Sequence, residues 1–298
     1  MLTLLLALAT ARADTTPLPS YTPHRVYDTR HNRFSDLESL AASASKADVV
    51  FVGEQHDDPG THRIELALLE AIGRRRSDVV VVLEMFERDV QSVLDSYLAG
   101  SIPEDAFLKA SRPWNNYAAD YRPLVEYAKA RGWRVVAGNV PRKIASAVFS
   151  KGIEAVNQLP DSSRRWAAQE FQCPAGIYAD RVAATLKEHP AVPGAPPTAA
   201  EMSKMGALIY QAQCVKDETM AESVARARSK GSPLVIHYNG AFHSDYGQGT
   251  AERTRRRLPK ANVLVVSAIP SADLDQVQGK PDRKLGEWVI YTLKPVAK

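Results

Sequence analysis

The chain has 298 residues, 45% of them hydrophobic and 24% charged, with a formal net charge of +4. That balance is the one a globular protein shows, and the length suits one large α/β domain, alone or with an inserted module. The dense basic runs, Arg74 to Arg76 and Arg253 to Arg257, fall at the ends of predicted helices, where cations complement the dipole; no groove-reading motif accompanies them, so no nucleic-acid partner is expected.

The N-terminus carries a short apolar stretch, Leu2 to Ala9, followed by Ala11-Arg12-Ala13. This is the apolar core and small-residue cleavage site of a secretory signal peptide, although the basic segment that usually precedes it is missing. Residues 1–13 are therefore expected to be removed, placing the mature domain, 14–298, in the periplasm or cell envelope. A lipid anchor is not expected, since no cysteine lies near Asp14.

Thr15 to Pro23 is proline-rich and extended, Arg25 to Asp28 is a predicted edge strand, and Phe34 to Ser45 a predicted helix with Ser35 as its cap. Val49 to Val52 is a β-branched and aromatic run that stops at Gly53, which reads as a buried parallel strand. A helix starting at Thr61 follows, with His62 in its first turn. Val79 to Leu83 is a second buried run ending in Glu84. Helices are predicted over 88–98, after Pro103, and over Tyr121 to Ala130. Arg134 to Ala137 is a third buried run, leading into Gly138-Asn-Val-Pro-Arg142.

From about 143 to 230 there is no strand-like run and many prolines, which predicts a helical insertion with a loop from Pro190 to Pro197 and a long helix from about Ala199. On that helix Tyr210, Gln213, Asp217 and Met220 share one face, a stripe turned either toward a cavity or into a helix–helix contact. Cys173 and Cys214 both lie in the insertion, as a pair or as two buried thiols. Leu234 to Tyr238 is a fourth buried run, ending in Asn239-Gly-Ala-Phe-His243, and further strands are predicted at Asn262 to Ser267 and Trp288 to Leu293. The fold class is α/β: a mostly parallel sheet flanked by helices, with a helical lid.

In such a sheet ligands bind beyond the carboxyl ends of the strands. Glu54, His56, Glu84, Asn139, Arg142 and His243 all fall there, on four strand ends, so they are expected to share one rim. His56 and His243 each close a Gly-x-x-His sequence. With Glu54 they make a ligand set for a divalent ion such as zinc or manganese. Glu54 or Glu84 is the candidate base for a bound water, and Arg142 the candidate clamp for a carboxylate, or a partner of Glu84.

Gly53-Glu-Gln-His56-Asp-Asp, Leu83-Glu-Met-Phe86, Asn139-Val-Pro-Arg142, the segment Ala212 to Ala221 and Asn239-Gly-Ala-Phe-His243 together resemble the ChaN-type haem-binding uptake proteins, grouped with Tiki proteases and erythromycin esterases. The resemblance spans nearly the whole mature chain. It implies a parallel α/β core under a helical lid, location in the cell envelope, and haem bound in pairs across a homodimer, with an outer-membrane haem receptor as a further partner. It also implies a tyrosine ligand to the haem iron, for which Tyr210 fits best and Tyr178 next, with Gln213, Asp217 and Met220 beside it. The Tiki likeness implies instead a metal-dependent hydrolase built on His56, His243 and a glutamate. A haem carrier of an iron-acquisition route is the first expectation, and a hydrolase acting at a separate strand-end site is the second.

Overall fold

The computed structural model describes residues 21–185 and 198–294. The expected signal peptide and the loop Pro190 to Pro197 lie outside the described residues.

The elements follow in chain order. The first strands and helices are β1 (His24–Asp28), β2 (Arg33–Ser35), α1 (Leu37–Ala44), β3 (Val49–Glu54), α2 (Pro59–Gly73), β4 (Val79–Glu87), α3 (Gln91–Leu98), α4 (Glu104–Ser111), α5 (Arg122–Ala130) and β5 (Arg134–Asn139). The helical insertion holds α6 (Arg142–Lys151), α7 (Asp161–Arg164), α8 (Ile177–Ala184) and α9 (Ala199–Ser229). The chain closes with β6 (Leu234–Gly240), α10 (Gly249–Arg257), β7 (Val263–Ser271) and β8 (Trp288–Leu293).

One eight-stranded sheet runs in the order β2-β1-β8-β7-β3-β6-β4-β5. It is parallel from β8 to β5, while β1 pairs antiparallel with both β8 and β2. The predicted edge strand Arg25 to Asp28 is therefore an inner strand, because Arg33–Ser35 pairs outside it. Phe34 and Ser35 were expected to open the first helix, with Ser35 as its cap; instead both are extended, and Asp36 caps α1 by accepting the amide of Ser39. The start of α2 shifts likewise: Asp58, not Thr61, is the cap and accepts the Gly60 and Thr61 amides, with Pro59 in the first turn.

Successive residues of the central strand feed opposite cores, as the pleat requires. Val50 and Val52 join Leu68, Leu69 and Ile72 of α2 on one face; Val49 and Phe51 join Val224 and Ala227 of α9 and Ala251 of α10 on the other. The helical insertion thus covers one face of the sheet. Its own small core forms between α6 and α9, around Ile144, Val148 and Val215. Cys173 and Cys214, left open by the sequence, form a disulfide with a Cα–Cα distance of 5.8 Å.

His237 of β6 is fully buried, edge-on to Phe51, with its Nδ1 hydrogen-bonded to the Val82 carbonyl at 3.1 Å. Burial lowers its pKa to about 4, so the ring is neutral in the fold where the unfolded chain would take a proton at its usual value near 6.5. Stability from this residue is therefore present at neutral pH and lost as pH falls from about 6.5 toward 4, by up to about 3 kcal/mol. In paired acid titrations followed by thermal melting, His237→Gln should flatten that part of the profile. A variant that loses stability with acid as steeply as the parent would exclude this cause.

Candidate functional site

β3 is flanked by β7 and β6, and the next strands in sequence, β4 and β5, lie beyond β6. The crevice at this change of direction is where an open sheet exposes its strand ends. Glu54, the last residue of β3, is buried there opposite Gly240 of β6. Its Oε1 accepts the Tyr121 hydroxyl and a hydrogen bond from Nδ1 of His56 at 2.7 Å. His56 turns the rest of its ring to the crevice, with 46% of its side chain exposed, and meets Trp114 edge-on at 4.7 Å.

The two Gly-x-x-His sequences fit into each other. A Cβ on Gly53 would lie 2.9 Å from Cα of Ala241 and from Oγ of Ser244, in the turn after β6. A Cβ on Gly240 would lie 2.8 Å from Nε2 of His56. Each glycine is small because the other motif's turn packs against it.

Glu84 sits where β4 loses register with β5, between Leu83 and Glu87. The irregularity frees its carboxylate to accept the Gly240 amide at 2.8 Å, with its other oxygen 3.5 Å from Nε2 of His243. His243 is buried and held from behind: its Nδ1 bonds Asp217 at 2.7 Å, and Asp217 also accepts the hydroxyls of Tyr178 at 2.7 Å and Thr250 at 2.8 Å. Burial disfavours the charged form of both imidazoles. The Glu54 hydrogen bond and the Glu84 charge outweigh it for His56, and the Glu84 and Asp217 charges for His243, so both titrate above the ordinary histidine value.

Glu54, His56, Glu84 and His243 line a cavity of about 1300 Å³. Its rim carries Arg142 and Lys143 of α6, Arg181 of α8, Lys216 of α9, and Trp114 and Phe242. A recess of about 330 Å³ continues between α6 and α9, where Val140, Ala145, Phe149, Ile209 and Ala212 supply apolar walls and Asn139, Arg142, Gln213 and Lys216, with Glu84, Glu87 and Ser146, the polar ones. Glu54, His56, Glu84, Arg142 and His243 therefore share one cavity, with Asn139 in the recess that opens from it.

Several expectations change. The strand-end rim and the lid are not separate surfaces, because Gln213 and Lys216 of the lid helix line the same cavity as His56 and His243. The α9 stripe divides. Gln213 faces the cavity, Asp217 is buried behind His243, and Met220 is fully buried in the interior. Tyr210 and Tyr178 pack with Phe242, and their hydroxyls donate to the Pro174 carbonyl at 2.6 Å and to Asp217. Burial raises both phenol pKa values, which opposes the phenolate that a tyrosine iron ligand requires. Arg142 makes no ion pair with Glu84 among the described residues.

His56, His243 and Glu54 do not bring three donor atoms within 4.8 Å of one another among the described residues, because Glu54 lies behind His56 on its Nδ1; Nε2 of each imidazole stays on the side of Glu84. The group of three among the described residues whose donor atoms lie within 4.8 Å of one another is Glu54, His62 and Glu65. Lys216, Trp114 and Tyr121 were not singled out from sequence as site residues. Tyr121 closes a π-helical turn, Tyr117–Tyr121, a distortion that sequence periodicity does not announce. Glu65 had a usable signal, its three-residue spacing from His62 on one helix.

Proteins with this kind of open sheet hold their ligands at a switch in strand order, and the cavity places this chain among them. More narrowly, the chain belongs to the family described as haem-binding uptake, Tiki superfamily, ChaN, which matches residues 40–254. Its fold is similar to that of ChaN of Campylobacter jejuni, a structure described as showing cofacial haem binding, with a TM-score of 0.65 at 14% identity over 92% of this chain and 97% of that one. A succinoglycan biosynthesis protein has a TM-score of 0.50 at 11% identity, covering 87% of this chain and 91% of its own. The chloroplastic protein RETICULATA-RELATED 5 of Arabidopsis thaliana is 25% identical over 252 residues, 78% of this chain. The chain spans about a third of the length of that curated relative, 33%.

Proposed function

We propose that the chain binds haem in the strand-end cavity and its recess, as a cell-envelope protein of an iron- or haem-acquisition route. Within a haem-binding family, the observation that carries this reading is the amphipathic cleft between α6 and α9. A porphyrin is a flat apolar plate with two carboxylates at one edge. The apolar recess around Phe149 and Ile209 suits the plate, and Arg142, Lys143 and Lys216 suit the carboxylates. His56 is the side chain that offers the iron a ligand: its Nδ1 is fixed by Glu54, which leaves Nε2 on the cavity side beside Gly240. When bound, haem supplies an iron centre for transfer; the protein's part is to hold, orient and shield it.

The disulfide supports an oxidising compartment. Phe149 is 44% exposed and extends from the recess to the surface, which supports a homodimer that pairs two recesses, as cofacial haem in the Campylobacter jejuni protein suggests. An outer-membrane haem receptor is the partner that such a route calls for.

Haemin titration followed by absorption tests the reading. The parent should saturate at one haem per chain. Arg142→Ala with Lys216→Ala should weaken binding at least about tenfold, the scale of losing charge-assisted contacts of about 1.5 kcal/mol or more. Tyr210→Phe should leave the spectrum unchanged, since its hydroxyl is committed to Pro174. A parent that does not saturate would refute haem binding.

A second reading, an ester or peptide hydrolase, is favoured by one observation: two imidazoles, each fixed through Nδ1 by a buried carboxylate, with Glu84 beside both. That is the support a general base requires. Turnover of a nitrophenyl ester that disappears in His243→Ala would favour it, and no turnover with or without added zinc or manganese would remove it.

A further inference from the structure

Behind the cavity wall, Glu54 belongs to a second, buried group whose other two members, His62 and Glu65, haem binding does not use. His62, on the first turns of α2, is 3% exposed; Glu65, one turn later, is 1% exposed; and Glu54 is 2% exposed. Nδ1 of His62 is 2.9 Å from Oε2 of Glu65 and 3.8 Å from Oε2 of Glu54. Its other nitrogen, Nε2, lies 3.2 Å from the His56 carbonyl, which can only accept a hydrogen bond. If Nε2 carries the ring proton for that bond, Nδ1 presents a lone pair to two carboxylates. Two carboxylate oxygens are left without any hydrogen-bond partner, Oε2 of Glu54 and Oε1 of Glu65. A buried acceptor with no donor costs about 1–3 kcal/mol, more when charged, so two at one spot are satisfied either by a proton shared between the carboxylates or by an electropositive occupant.

We propose that Glu54, His62 and Glu65 form a buried binding site for one divalent transition metal, zinc or manganese. One imidazole and two carboxylates are a ligand set that suits these ions, and two carboxylates balance the charge of a divalent cation. The donors lie within 4.8 Å of one another; contraction to the spacing of about 3.5 Å that metal–ligand bonds near 2.1 Å demand is within the reach of carboxylate rotation. The second shell is present: His62 is oriented through Nε2 by the His56 carbonyl, and Glu54 through Oε1 by Tyr121 and His56. Through Glu54 this metal would adjoin the cavity without lining it, so its role is to fix the carboxylate that positions His56.

The full chain, stripped with a chelator and free of haem, is titrated calorimetrically with Zn²⁺ and with Mn²⁺. One equivalent of at least one of the ions should bind. Glu65→Gln should weaken it at least tenfold, whereas His243→Ala, which removes none of the three ligands, should bind within twofold of the parent once its fold is confirmed by circular dichroism. Should Glu65→Gln fail to fold, X-ray absorption of the Zn²⁺-loaded parent decides: one imidazole among oxygen ligands supports the site. Two imidazoles would place the metal on His56 and His243 and overturn the proposal. So would loss of binding in His243→Ala, or no binding of either ion to the parent. None of these readouts depends on haem.

Discussion

Replacing Asp217 by alanine should lower stability by about 3–5 kcal/mol, the scale for breaking a buried charge network from one side. Asp217 is fully buried in the middle of α9 and accepts from His243, Tyr178 and Thr250. Burial alone would raise its pKa, yet the His243 charge and hydrogen bond, together with Arg253, hold it below the usual carboxylate value. Truncation leaves three buried donors without an acceptor and frees His243 to turn. A fall in thermal midpoint of roughly 10 °C is expected for a chain of this size. Asp217→Asn, which keeps an acceptor for Tyr178 and Thr250, should cost less. A loss below about 1 kcal/mol for the alanine variant would mean that the network does not hold the lid helix to the site.

Removing the Cys173–Cys214 disulfide should have an effect of similar size. The bond closes a loop with a sequence separation of 41. Loop-closure entropy assigns such a cross-link about 4 kcal/mol, acting through the unfolded chain. Cys214 is fully buried on α9, one residue before the α6 contact made by Val215, so the bond fixes the preceding segment to the helix that lines the cavity. Denaturant unfolding of Cys173→Ala with Cys214→Ala, against the oxidised parent, should show most of that loss. Equal stability would place the loop's order in its packing instead.

The parallel strands were legible because each is an apolar run stopped by a glycine or a polar residue. The same stops mark the rim, which is why Glu54, His56, Glu84, Arg142 and His243 could be placed together. β2 escaped notice because Arg33–Ser35 has too few residues to show alternation. The partners of the imidazoles escaped because they come from distant elements: Asp217 is 26 residues from His243 in sequence, and Tyr121 is 67 from Glu54. Spacing put Tyr210, Gln213, Asp217 and Met220 on one helical face, yet α9 is covered on most of its circumference. Small rotations then decide which side chain meets the cavity, and periodicity does not resolve them. That Glu54 turns its carboxylate to Nδ1 of His56 instead of standing beside the two imidazoles escaped for a related reason, since matching motifs fix where histidines lie but not how a neighbouring carboxylate turns.

The most direct test of the central claim, haem held in the strand-end cavity with His56 toward the iron, is a haemin titration of the parent beside His56→Ala. The expected result is saturation at one haem per chain in the parent, a spectrum without a tyrosinate charge-transfer band, and an affinity at least about tenfold weaker in the variant. Unchanged affinity and spectrum in His56→Ala, with the change appearing instead in Tyr210→Phe, would contradict it.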